Sequence, residues 1–257
     1  MALVAARSSS PGRASGASAR RGVRRSVELF QAYRHEQEDP ESTYTLVAQD
    51  TVDLLGRYVE LPGRTALDVG GGPGYTAAAL RQAGAVAFTA DPSVDELALH
   101  GRRPQGALAA DGLALPVADG VIDLCCSFNT LEHVEAPWAF LDELVRITKP
   151  GGLVFLCVTN WLSPWGGHET SPWHYLGGER AARRYAARHG REAKNRYGES
   201  LFEVGVGEVL HWAERHPAVE VRDAFPRYYP TWCRPLVRVP LVREVATWNL
   251  AVVLDRR

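Results

Sequence analysis

Apolar and polar residues change their spacing several times along the chain, and each change marks an element. From Glu28 to about Tyr58, Leu29, Tyr33, Leu46, Val47, Val52 and Leu55 predict helix, with a break at Asp39-Pro40. Pro62-Gly63 closes that stretch, and Thr65–Val69 is a short apolar run of strand type. Strand-like segments then follow at 85–90, 106–110, 121–127 and 152–159, with helix-like segments starting at Thr76 and over 94–100 and 137–147. Lys149-Pro150-Gly151-Gly152 is a sharp stop between the last of these helices and its strand. Such alternation predicts a parallel sheet with helices on both faces, a doubly wound α/β fold.

The alternation ends after Thr159. Residues 160–200 are rich in Trp, Gly, His and Arg and read as an insertion. Leu201–His216 predicts a helix, and Val219–Phe225 and Thr247–Leu254 the sixth and seventh strands. Between those strands, residues 226–246 are too long for a hairpin and carry Tyr, Trp, Pro and Arg. The length suits one domain over 26–257, with its core at 65–159. Residues 26–50, 160–200 and 226–246 are expected to gather over the carboxyl edge of the sheet as a cap.

Composition narrows the partners. A formal charge of -1 at pH 7 argues against a whole-protein field for nucleic acid. Prolines 226, 230, 235 and 240 interrupt any regular basic face in the last insertion. Four cysteines without a Cys-x-x-Cys pair fit buried thiols and a reduced, cytoplasmic setting, and no apolar run has the length of a membrane span. Residues 1–25 carry six arginines, several serines and glycines, and no acid. They predict a disordered basic tail; a transit-type leader or a basic arm for an anionic partner shares that composition.

The candidate chemistry begins at Ala66-Leu67-Asp68-Val69-Gly70-Gly71-Gly72-Pro73-Gly74-Tyr75. An acid and a glycine-dense turn between strand and helix bring backbone N–H groups to a ligand. Tyr75 occupies the third-glycine position of a dinucleotide fingerprint, which weakens a nicotinamide reading. Asp91, followed by Pro92, ends the second strand, where an acid accepts hydrogen bonds from ribose hydroxyls; the alternative is a helix N-cap. Ala110-Asp111-Gly112-Leu113-Ala114-Leu115-Pro116 follows the third strand, and its alternative is an ordinary acid-glycine turn. The fourth strand delivers Ser127-Phe128-Asn129-Thr130-Leu131-Glu132-His133-Val134 to the carboxyl edge.

Gly-x-Gly-x-Gly behind a strand-terminal acid resembles motif I of the class I S-adenosylmethionine (SAM) methyltransferases. Asn-x-x-Glu-His-Val and Lys-Pro-Gly-Gly-Leu are similar to the methyltransferase group that includes ubiquinone and menaquinone biosynthesis enzymes. The likeness covers 65–159 well and the rest poorly. Gly166-Gly167-His168-Glu169, His174-Tyr175-Leu176-Gly177-Gly178 and Phe225-Pro226-Arg227-Tyr228 resemble actinobacterial methyltransferases of unassigned substrate.

The resemblance implies a seven-stranded, mostly parallel sheet with an antiparallel last strand, and SAM as cofactor. It implies a site of Asp68, Gly70, Gly71, Gly72, Gly74, Asp91, Pro92, Asp111, Gly112, Leu115, Phe128 and Asn129. Asp68 would lie near the methionine ammonium, Asp111 would hold the adenine amine, Gly112 would admit it and Leu115 would cover the ring. His133 is the candidate base for an oxygen acceptor; alternatively Glu132-His133 simply begins the next helix. On a helical turn the two side chains would point about 100° apart. His168, Glu169 and His174 are capable of ligating a metal with Glu132 or His133, but polar pocket residues are commoner than ligands, and no metal is expected. The acceptor reading is a small molecule, glycan or lipid-linked compound, without nucleic acid. A SAM-binding partner module without turnover is the alternative.

Overall fold

The computed structural model describes the backbone of residues 16–35 and 38–257, with side chains from Gly22 onward. Two helices come first, α1 (Gly16–Arg34) and α2 (Pro40–Leu55). The break falls where expected: Asp39 caps α2 by accepting from the Ser42 N–H at 3.1 Å, and Pro40 starts it. Of the expected tail, residues 1–15 lie outside the described residues, but 16–25 are helical, a correction. Arg25 of that helix pairs with the half-buried Asp50 of α2, which neutralises a charge a free tail would leave in water.

The strands are β1 (Thr65–Val69), β2 (Val86–Asp91), β3 (Ala107–Ala109), β4 (Ile122–Phe128), β5 (Thr148–Val158), β6 (Val219–Pro226) and β7 (Leu250–Arg256). They form one sheet in the order β3-β2-β1-β4-β5-β7-β6, with β7 antiparallel to both neighbours and all other pairs parallel. The chain winds outward through β2 and β3 from β1, and in the opposite direction from β4. The topological switch point is therefore between β1 and β4, where open α/β sheets bind ligands.

Successive side chains of the central strands enter opposite layers. Leu124, Cys126 and Phe155 pack with Val52 and Leu55 of α2 and with Ala77 and Leu80 of α3 (Tyr75–Gln82). Cys125, Val154 and Leu156 pack with Phe140 and Leu144 of α5 (Pro137–Ile147) and Val209 of α7 (Val206–Arg215). Burial on both faces explains why these strands read as continuous apolar runs. All four cysteines are buried, the three of the apolar strand-like runs as expected, and burial pushes the Cys157 thiol up to about 12.

Other elements depart from the sequence reading. The helix after β2, α4 (Val94–Leu97), is a single turn continued by a 3₁₀ turn over Leu99–Gly101. The insertion at 160–200 holds an unforeseen helix, α6 (Gly178–His189). The helix expected from Leu201 starts at Val206 instead. Residues 201–205 stay outside the helix because Phe202 N–H bonds the Glu132 carbonyl at 2.8 Å and Val204 accepts from Trp161 N–H at 2.9 Å. A short α8 (Val242–Ala246) precedes β7.

Candidate functional site

Two chain segments meet at the switch point. The first is the glycine turn between β1 and α3. Gly70 has φ +76°, and a Cβ there would stand 2.2 Å from the Thr130 hydroxyl; Gly72, at φ +44°, would meet only the Glu96 carbonyl at 3.8 Å. Space is thus open above Gly72. Below the turn lies Asp68, 1 % exposed, with one carboxylate oxygen bonded to Thr76 and Oδ1 unpartnered. Burial, with repulsion from Asp91, raises its pKa to about 7. Gly71 lets the backbone lie on this carboxylate, since a Cβ would come within 2.5 Å of Asp68 Oδ2.

Asp91 ends β2 beside the turn. Its Oδ2 accepts from Gly72 N–H at 3.2 Å and its Oδ1 from Ser93 N–H at 2.9 Å. The N-cap of α4 is Ser93, which accepts from Glu96 N–H, so the capping alternative for Asp91 falls away; Pro92 is exposed between them. Asp111 is exposed and holds its loop by accepting from Leu113 N–H at 2.9 Å. Gly112 is pressed against Phe140, where a Cβ would sit 2.5 Å from the ring. Leu115, at 5 % exposure, packs in the core with Val69 and Phe140, its N–H held by Glu143. The apolar side chain of this loop that faces outward is Leu113.

The second segment follows β4. Phe128, Asn129 and Thr130 are half-buried, and Asn129 adopts φ +54° with its Oδ1 accepting from Asn249 Nδ2 at 2.6 Å. Leu131–His133 is a 3₁₀ turn that ends before α5, so Glu132-His133 does not begin that helix. Glu132 is 1 % exposed; Oε1 accepts from Thr159 N–H at 3.0 Å and Oε2 has no partner. His133 Nδ1 lies 2.6 Å from the Ser200 carbonyl, which must be accepting, so Nδ1 carries the proton and Nε2 keeps its lone pair.

His168 arrives from the insertion, its ring edge-on to His133 at 5.0 Å. One ligand-capable atom from each of Glu132, His133 and His168 lies within 4.8 Å of the others. Both members of the Glu-His pair therefore enter one cluster. Glu169 and His174 do not join it: Glu169 is exposed and bonds Asn195, and His174 is buried against the Ser163 carbonyl.

The cover follows from the strand directions. β5 and β6 run parallel to β1, so residues 160–200 and 226–246 both leave from the carboxyl edge. Lys194 reaches Glu96 of α4 at 3.2 Å, and Arg102 donates to the Pro73 carbonyl of the glycine turn. Tyr44 of α2 stacks on Tyr75 with centroids 5.5 Å apart. Tyr33 of α1 meets the Tyr228 hydroxyl at 2.6 Å, while Trp248 packs edge-on against Trp165 at 5.7 Å. Glu132, His168, Thr130 and Asn249 belong to this constellation but were not assigned to the site from sequence; only the Glu-His pair and Gly166-Gly167-His168-Glu169 gave a signal.

Known proteins are similar to this chain. Residues 67–156 match the family of methyltransferase domains. An uncharacterized methyltransferase of Mycobacterium tuberculosis is 47 % identical over 242 residues, spanning 90 % of this chain and 94 % of the relative. Among solved structures, a SAM-dependent methyltransferase from Mesorhizobium loti aligns with TM-score 0.55 at 20 % identity over 81 % of this chain and 98 % of its own. Magnesium protoporphyrin IX methyltransferase from Synechocystis PCC 6803, with bound S-adenosylhomocysteine (SAH), aligns with TM-score 0.53 at 15 % identity over 89 % and 94 %. The structural matches speak for the fold, and the near full-length identity speaks for the family. This chain belongs to the class I SAM-dependent methyltransferases.

Proposed function

We propose that the chain methylates an oxygen of a small-molecule, glycan or lipid-linked acceptor, held between the glycine turn and the cover of residues 26–50, 160–200 and 226–246. The observation that carries this reading is the cluster after β4: a covered, half-buried His133 whose Nδ1–H is spent on Ser200, leaving Nε2 to accept a proton. The SAM methyl is already activated on a sulfonium, so alignment of acceptor and methyl does most of the work. An oxygen acceptor must also lose its proton, and a positioned histidine adds a factor of about 10² to 10⁴.

On the cofactor side, the unpartnered Oδ1 of Asp68 suits the methionine ammonium, and Asp91 retains lone pairs for the ribose hydroxyls. Asp111 and Gly112 are proposed for the adenine edge, with Leu113 rather than Leu115 against the ring. Phe128 and Asn129 would line the methionine arm.

Nucleic acid is disfavoured by how the basic residues of the last insertion are used. Arg227, Arg234 and Arg243 are paired with Asp50, Asp223 and Glu244. Among the described residues no helix is long and apolar enough to cross a membrane. A cytoplasmic site of action remains part of the proposal.

The test uses SAM labelled on its methyl group, incubated with the protein and a cell extract. Label is expected in the low-mass or lipid-extractable fraction, and His133→Ala should lower its rate by about 10²-fold with SAM affinity unchanged. Label in RNA or protein would overturn the acceptor class, and full turnover in the variant would overturn the base. No transfer with intact SAM binding would favour a module without turnover.

A further inference from the structure

The strongest feature left unexplained is the unpaired Glu132 Oε2. A carboxylate oxygen buried without a donor is costly, and native proteins leave few such groups. Two imidazoles stand beside it, yet neither donates to it. His133 gives its Nδ1–H to the Ser200 carbonyl at 2.6 Å, and His168 Nδ1 faces the Gly166 carbonyl at 3.3 Å. In both rings the protonated nitrogen is thereby fixed by a backbone oxygen and Nε2 is left with a lone pair. That is the arrangement of metal-bound histidines, whose other N–H is held by a carbonyl or carboxylate.

We propose that Glu132, His133 and His168 hold one divalent first-row transition cation, with open coordination positions for the acceptor hydroxyl. The ligand-capable atoms lie within 4.8 Å of one another. Bonds of about 2.0–2.2 Å to nitrogen and oxygen place ligands roughly 3 Å apart, so each side chain moves by under about 1 Å to close on an ion. Two imidazoles with one carboxylate suit zinc, cobalt, manganese or iron; magnesium and calcium prefer oxygen ligands throughout. Three protein ligands leave the site open, as catalytic rather than structural sites are.

The inference rests on the reading of this cluster as the acceptor's end of the site, and deepens it by putting the cation in the place of His133 as the group that activates the acceptor. With the cation in place His133 is a ligand, and the acceptor hydroxyl loses its proton to solvent because the cation lowers its pKa. Its oxygen then forms the bond to the methyl carbon as the carbon–sulfur bond breaks. SAM and the alcohol become SAH, the methyl ether and one proton, with no change of oxidation state.

Tag-free, metal-stripped protein is titrated with Co²⁺ and followed by visible absorption. One equivalent is expected to bind with the d–d bands of a four- or five-coordinate nitrogen–oxygen site, and Zn²⁺ is expected to displace it. His168→Gln and Glu132→Gln should each weaken Co²⁺ at least tenfold, whereas Glu169→Gln should not. SAH binding, measured on every variant, reports that each is folded. Absence of stoichiometric Co²⁺ binding in protein that binds SAH overturns the proposal. So does unchanged Co²⁺ affinity in either folded ligand variant. One Co²⁺ bound at these residues, together with label delivered to RNA or protein, would uphold the cation site and overturn the acceptor class.

Discussion

Asp68 is the residue whose environment makes the sharpest demand. In the cofactor-free protein its carboxyl titrates near 7, chiefly because it is buried, well above the ordinary value of about 3.9. The folded state thus binds more protons than the unfolded state between roughly pH 4 and 7, and stability falls as pH rises through that window. A cofactor ammonium reverses the preference. If it meets Asp68, SAM binding expels a proton below pH 7, and affinity rises between pH 5.5 and 7 before levelling off. Calorimetry across that range should show the slope in the native protein and lose it in Asp68→Asn; equal slopes would remove Asp68 from the contact. Gly72→Val, in turn, should abolish SAM binding because its side chain fills the open space above the turn, while the strain of φ +44° costs on the order of 1–3 kcal/mol, with a thermal melt to check that the variant folds. Unchanged affinity in a folded variant would contradict the role of the turn.

Residues in the glycine turn were legible because their chemistry is local. The strand-terminal acid and the glycines stand a few positions apart, and their spacing alone states what the backbone must do. The burial of Leu115 was not legible, because the direction a loop side chain takes is settled by Phe140 and Val69, which come from other elements. His168 was seen as ligand-capable, but its pairing with Glu132 and His133 depends on how a long insertion folds back.

At the scale of elements, the cover is fastened to the sheet by buried charge. Arg227, at the end of β6, is 2 % exposed and pairs with Asp50 of α2 at 2.6 Å, while Arg25 of α1 bonds the same carboxylate. Desolvation works against Asp50, but the two guanidinium groups hold its pKa below the usual carboxylate value. Asp50→Asn leaves the Arg227 charge buried without a counter-ion, a loss on the order of 3–5 kcal/mol. Urea unfolding should register that loss; a change under about 0.5 kcal/mol, the scale of an ordinary surface substitution, would show that the pair does not fasten α2 to β6.

Helices set by caps and turns were readable, as Asp39-Pro40 shows. The segment 201–205 was not, because Leu201 and Val204 are buried three positions apart, as on a helix, while inter-segment hydrogen bonds hold the backbone out of the helix. The start of α7 is marked instead by acids: Glu208 accepts from Gly205 N–H, and Glu244 from the N–H groups of Val206 and Gly207.

For the whole molecule, the alternation of apolar runs contained the sheet, and the directions of β5 and β6 fixed where the insertions leave it. What the alternation does not contain is how those insertions meet one another, since Trp248 with Trp165 and Tyr33 with Tyr228 are contacts between distant segments. Cofactor and acceptor are expected to meet between Asp68 and the Glu132–His133–His168 cluster. A crystal structure of the protein with SAH tests it most directly. The ammonium is predicted within hydrogen-bonding distance of Asp68, the ribose hydroxyls on Asp91, and the sulfur facing the cluster with no side chain between them. A cofactor bound at the turn with its sulfur walled off from His133 and His168 would contradict the account.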